Sequence, residues 1–295
     1  MSKKFNWLTA TAAVATLCFA GNALATSGYF THGTGTKNKA MAGAGIALPE
    51  DSIDIANNPA VAPFVGDQLI VGAALFSPIR KYETWCTNEP FCANGNFGAF
   101  TIGPNKIKSD SNYHVIPHIA KSWQLENDSA FALVFYGRGG MNTDWAGGTA
   151  TFDPGMGVST WPGTFGDGIA ELPINGTPGN GTTGVNLSQA LLDITWAKKF
   201  NEKFSLGLSV VGAMQMFEAE GLRTFAPYTK TALTSGPQAV TSLSNNGSDI
   251  SWGYGFKIGI HAPLSDALAV GAMYQTKIKM TKLDDYSDLF AERGG

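Results

Sequence analysis

Long stretches of this chain alternate apolar with small or polar residues, and the links between them alternate between short and long. The alternation is clearest where Trp252, Tyr254, Phe256, Ile258 and Ile260 share one face and Ser251, Gly253, Gly255, Lys257, Gly259 and His261 share the other. A period of two means a β-strand with two chemically different faces. The same pattern predicts seven strands: Asp67–Tyr82, Tyr113–Leu125, Ser129–Arg138, Val185–Phe200, Lys203–Phe217, Ser248–Ala262 and Ala267–Leu283. Three links are a few residues long, at 126–128, 201–202 and 263–266, whereas 83–112, 139–184 and 218–247 are long and rich in Gly, Pro, Asn and Thr. A soluble sandwich has no reason to put every long link at one end of its strands. An outer-membrane barrel does, with short periplasmic turns and long external loops. The fold class expected is therefore all-β, a transmembrane antiparallel β-barrel. Backbone groups in lipid must all be paired within the protein, so seven strands do not close a barrel, and the sequence is expected to be incomplete beyond Gly295.

The ends and the composition agree with export. Lys3 and Lys4 precede an apolar run, and Ala23-Leu24-Ala25 offers a cleavage site, so residues 1–25 read as a secretory signal. Removing them leaves 18 cations against 23 anions. No Lys/Arg cluster offers a footprint for nucleic acid. Two cysteines remain, Cys86 and Cys92, and in an oxidising compartment they are expected to form a small loop disulfide. No metal spacing joins them to His32, His114, His118 or His261, no serine sits in a nucleophile elbow, and Gly137-Arg138-Gly139-Gly140 lacks the full phosphate-loop pattern. Neither enzyme activity, metal nor cofactor is expected.

About forty residues before the first strand do not alternate: Gly28-Tyr29-Phe30, the small-residue run 40–47 with Gly43-Ala44-Gly45, Asp51 and Asp54, and Asn58-Pro59-Ala60. In that combination, followed at once by a strand, the sequence resembles the outer-membrane transporters of long-chain fatty acids and aromatic hydrocarbons (the FadL/OmpP1/TodX group). The resemblance implies a barrel of about fourteen strands, of which about seven are present here. Residues 26–66 would be a hatch plugging the lumen, with Gly43, Gly45, Asn58, Pro59 and Ala60 as its motif, and 67–295 the first half of the barrel. It also implies a monomer in the bacterial outer membrane, surrounded by lipid. Hydrophobic substrate would be captured by external loops, held near the hatch N-terminus and released sideways through a kinked third strand.

Carried onto this sequence, the substrate contacts would include Tyr29 and Phe30, which ordinary hatch packing explains equally well. Trp145, Phe152, Trp161 and Phe165 on the second long loop suit either substrate capture or packing of the loop on itself. Lys257, with Lys277 and Lys279, is either a partner for a substrate carboxylate or general lumen polarity. Gly137, Gly139 and Gly140 mark either the kink or the start of a loop. Passive uptake of fatty acids is the first expectation, and monoaromatic hydrocarbons the alternative. A secreted β-sandwich binding carbohydrate or acting as an adhesin is the rival class, and a water-filled porin the third reading.

Overall fold

A computed structural model describes residues 28–84, 99–102, 105–146, 150–153, 182–201, 204–222, 226, 229–236, 239–265 and 267–290. The leader, Cys86, Cys92, Trp161 and Phe165 lie outside the described residues. The strands are β1 (Gln68–Phe76), β2 (Lys81–Thr84), β3 (Ala99–Ile102), β4 (Asn105–Lys108), β5 (His114–Leu125), β6 (Ser129–Ala146), β7 (Ala150–Asp153), β8 (Thr182–Asn201), β9 (Phe204–Glu220), β10 (Asp249–Ser265), β11 (Leu268–Gln275) and β12 (Lys279–Met280). Seven of them form an antiparallel up-and-down sheet in the order β1-β5-β6-β8-β9-β10-β11, half of a barrel wall, with β12 added against β10. Pairs β2-β4 and β3-β7 are separate two-stranded sheets within the long links.

The turns show why these links stay short. Asn127 and Asp128 both take left-handed φ, near +57° and +56°. Asn and Asp enter that region most readily among residues with a side chain. Ser129 Oγ then donates to the Glu126 carbonyl at 2.7 Å and closes the turn.

Three boundaries differ from the alternation by more than three residues. The first strand stops at Phe76, before Ser77-Pro78, instead of reaching Tyr82; proline has no N–H for a ladder. The third barrel strand does not end at Arg138 but continues to Ala146 through a bulge between Gly137 and Gly139. The last stops at Gln275, and beyond it Ile278 and Met280 turn inward against the core, which leaves Lys277 and Lys279 exposed and not in the lumen.

The two faces of the sheet are chemically separate. Trp252, Tyr254, Phe256, Ile258 and Ile260 all point away from the N-terminal segment, with Tyr254 54% exposed, and Leu69, Val71, Ile119, Leu192, Ile194, Trp196, Leu208 and Val210 continue this apolar surface. A sandwich would have to bury that face as its core; here the opposite face carries the core. Inward residues are small: Ala120, Ala130, Ala132, Thr195, Ala197, Ser205, Ser209 and Ala213 are all buried. Small side chains there leave room for a second layer of polypeptide. No helix among the described residues is long and apolar enough to cross a membrane, which does not bear on strands.

Candidate functional site

That second layer is the segment 28–66. It contains a short helix (Thr36–Ala40), a 3-10 turn at Ser52–Ala56, another at Pro59–Val61 and a last turn at Ala62–Val65. Ile53, Ile55, Ala56, Val61 and Ala62 form one buried cluster with Ala120, Ala130, Ala132, Val134, Leu191, Val211 and Ala213 of the wall. Each fully buried Ile or Val in such a layer contributes about 1.5–3 kcal/mol.

Asn58-Pro59-Ala60 is the tightest part of this contact. Asn58 is wholly buried: its Nδ2 donates to the Ile46 carbonyl at 2.8 Å and to the Ile260 carbonyl at 3.0 Å, while its Oδ1 accepts from Ala60 N at 3.0 Å. Asn caps the turn and Pro occupies the next position, where its missing N–H costs nothing. The wall answers with glycine. A Cβ on Gly259 would lie 2.0 Å from Asn58 Oδ1, and one on Gly207 would lie 2.2 Å from the Pro59 carbonyl carbon. Ser205 Oγ donates to the Ala60 carbonyl at 2.7 Å, and the His261 ring meets the Ala47 carbonyl at 3.0 Å. Gly43 and Gly45 act earlier in the segment. Gly43 sits at φ +85° and donates to the Asn38 carbonyl at 2.9 Å, and a Cβ on Gly45 would lie 2.4 Å from Asn38 Nδ2.

Asp54 organises the 3-10 turn by accepting the Glu50 and Asp51 amides on Oδ2, each at 3.0 Å. Burial pushes its carboxyl up to about 6, against the downward pull of those amides and with the neighbouring Asp51 and Glu50 charges adding to the rise.

Lys257 is not open to a substrate in this arrangement. Its Nζ donates to Asp193 Oδ2 at 2.6 Å, to the Tyr136 hydroxyl at 2.8 Å and to the Ala56 carbonyl at 2.8 Å, so all three donors are engaged. Both ions are buried. Desolvating them costs several kcal/mol each, and removing one partner alone typically costs about 3–5 kcal/mol because the other charge is stranded.

Above this cluster the wall parts. β5 pairs with β6 only from Leu125↔Ser129 to His118↔Tyr136; beyond His118 it pairs with β1 alone. Arg138 is the extra residue of the bulge, and past it Gly139 opposes Gln189. The freed edge of β6 is taken by the start of the N-terminal segment: Thr31 N donates to the Arg138 carbonyl and Gly140 N to the Tyr29 carbonyl, both at 3.0 Å. A Cβ on Gly139 would lie 2.5 Å from the Tyr29 carbonyl, one on Gly137 would lie 2.6 Å from Ile116 Cγ2, and one on Gly140 would lie 2.7 Å from the Leu187 carbonyl. The Tyr29 and Phe30 rings lie 4.6 Å apart, and the Arg138 guanidinium stands 5.3 Å from the Phe30 ring. Higher up, Asp110 N donates to the Asp144 carbonyl at 2.8 Å, which closes the edge again. The window is thus bounded below by Tyr136 and above by Asp144.

The structure brings together Tyr29, Phe30, Gly137, Gly139 and Gly140, five of the residues singled out from sequence. It does not bring Trp145 to them, since its ring packs edge-on against Tyr82 at 5.0 Å. Phe152 lies on β7, opposite Phe100 in register. Asp193, Tyr136, Gly207 and Gly259 were not singled out. The available signal was an acid or a glycine on the face opposite the bulky apolar one. A cavity of about 240 Å³ at the upper ends of β6, β8 and β9 is lined by Asn142, Asp144, Asn186, Glu218 and Glu220 among others, a polar rather than a hydrocarbon-like lining.

With this geometry in hand, the class of fold is that of the FadL/TodX-like outer-membrane transporters. The toluene transporter TodX of P. putida superposes with a TM-score of 0.55 at 15% identity, over 84% of this chain and 57% of that one. A Pseudomonas aeruginosa FadL homologue gives 0.48 at 17% identity, over 89% and 57%. The chain therefore spans a little more than half the length of these structures. No protein-family model and no curated protein matches it.

Proposed function

We propose that the protein takes up hydrophobic small molecules passively across the outer membrane, as a monomeric barrel in which residues 28–66 are a hatch. Substrate leaves the lumen sideways, through the window between β5 and β6. The observation that carries this reading is the bulge at Gly137–Gly139, where β6 lets go of β5 and its edge over Arg138–Gly140 is paired instead with the start of the same chain. A plugged lumen argues against a water-filled porin, because a seated hatch defeats open diffusion. Residues 1–25 act as the export signal, and Cys86 with Cys92 forms an external disulfide.

Long-chain fatty acids are the first substrate class. Their apolar chains gain about 0.8 kcal/mol per buried methylene on an aromatic site such as Tyr29-Phe30, and Arg138 stands beside it as the cation for a carboxylate. Monoaromatic hydrocarbons are the second reading, favoured by the likeness to a toluene transporter. Uptake of labelled oleate and labelled toluene by cells expressing the full reading frame tests both. Uptake of either that is lost when Ile116→Cys and Gly137→Cys, whose Cβ atoms would lie 3.7 Å apart, are joined by a disulfide across the window supports the proposal. Uptake of neither, or uptake unaffected by that disulfide, contradicts it.

A further inference from the structure

Lys257 and Asp193 form a buried ion pair, with side chains 1% and 0% exposed, on the inward face of the wall. Asp193 and Tyr136 would suffice for a lysine that only tied β10 to β8 and β6. The third donor leaves the wall and holds the Ala56 carbonyl of the N-terminal segment at 2.8 Å. Ala56 is the last residue of its 3-10 turn, where carbonyls lack a helical partner and a cation is favoured.

Resting on the reading of residues 28–66 as a hatch, we propose that Lys257 is its latch: a wall lysine whose grip on the Ala56 carbonyl makes any departure of the hatch and the breaking of a buried charge cluster a single event. Hydrogen bonds such as those from Asn58 to the Ile260 carbonyl and from Ser205 to the Ala60 carbonyl join neutral groups, whereas the bond to Ala56 comes from a buried charged donor, a class roughly twice as strong. When the hatch leaves, Lys257 loses one of its three acceptors.

The latch sits directly beneath the window. Tyr136, which accepts from Lys257, is the last residue of β6 paired to β5, and the bulge begins at the next residue. The hatch therefore grips β6 twice, through Ala56 and Lys257 at Tyr136 and through Tyr29–Thr31 at Arg138–Gly140. Loosening the lower grip frees the strand that borders the exit, which makes Lys257 a positioning residue for passage rather than a substrate contact.

The test uses the full protein in isolated outer membranes, with Cys86→Ser and Cys92→Ser as background and Val61→Cys as reporter. Val61 is buried in the hatch and lies outside the charge cluster. Labelling by a water-soluble maleimide then reads hatch departure. Lys257→Met/Asp193→Leu removes both charges at similar volume. The exchanged pair Lys257→Asp/Asp193→Lys keeps an ion pair in the wall but sets a carboxylate against the Ala56 carbonyl. Both are expected to remain heat-modifiable barrels and to label at least roughly tenfold faster than the reference, as the loss of one hydrogen bond from a charged donor implies. Unchanged labelling in assembled variants overturns the latch. So does failure of both variants to assemble, because a latch is dispensable for closing the wall. If the reference protein itself is not a heat-modifiable barrel, the transport reading fails instead, and that is seen before any variant is compared.

Discussion

Gly207 and Gly259 are where the wall yields to the N-terminal segment 28–66. Their positions require the absence of a side chain because Asn58 and Pro59 already fill the space a Cβ would take. Gly259→Val is expected to lift Asn58 from its socket at a cost of about 1–3 kcal/mol, the usual penalty for overpacking. Hydrogen exchange should show loss of protection at 46–61 while the strands stay protected; unchanged protection would mean that the contact is not tight. Asp54 gives a second prediction. Its carboxyl is held near 6 by burial, above the ordinary value near 3.9. A raised acid stabilises the folded segment fully below the unfolded value and loses that contribution as pH rises through about 6. The hatch should therefore exchange more slowly at pH 5 than at pH 7.5 once intrinsic exchange is corrected for, and Asp54→Asn should flatten the difference. At this scale Asn58-Pro59-Ala60 was singled out only in combination with Gly28-Tyr29-Phe30, Gly43-Ala44-Gly45 and the acidic pair Asp51 and Asp54 before it. Its glycine partners were not, since in an alternating strand a glycine reads merely as a non-apolar position, and only tertiary contact reveals what it makes room for.

At the scale of elements, β6 carries the proposed exit. Alternation located its lower half, Ser129–Arg138, and then failed because a bulge inserts one residue, so the inward parity changes and the period of two is broken across Gly137–Gly139. A run of three glycines in four residues is equally the signature of a loop, and the sequence left both readings open. The structure decides for a strand, since β8 supplies partners as far as Ala146. The end of β11 misled in the opposite way: a continuous alternating pattern concealed an irregular stretch at 276–278 that shifts the register on β10 by one residue, after which Ile278 and Met280 pack inward. Gly139→Val is expected to displace Tyr29 and Phe30 from the edge of β6, because its side chain would occupy the space of the Tyr29 carbonyl. Proteolysis of the first residues should quicken; a digestion rate equal to that of the unaltered protein would contradict the pairing.

Among the described residues the molecule is a half-wall with an apolar outer face and an inner face covered by residues 28–66. That division was the most legible feature of the chain, since strand period, turn length and loop length all expressed it. The seven strands have two free edges, β1 and β11, and the solved structures of this fold are nearly twice as long as the part matched here. Ile258 lies on the outer face of β10, with Tyr274 opposite it in register. Ile258→Arg should reduce assembly by about 2–4 kcal/mol if that face meets the bilayer midplane. Folding into detergent micelles, followed by urea titration, measures it.

The most direct test of the account is the electrophoretic mobility of the full reading frame, recovered from the outer-membrane fraction and run with and without boiling in detergent. A closed barrel migrates differently before and after heating, and that shift is the predicted result. Recovery as a soluble secreted species whose mobility does not change would contradict the transporter and restore the secreted binding module.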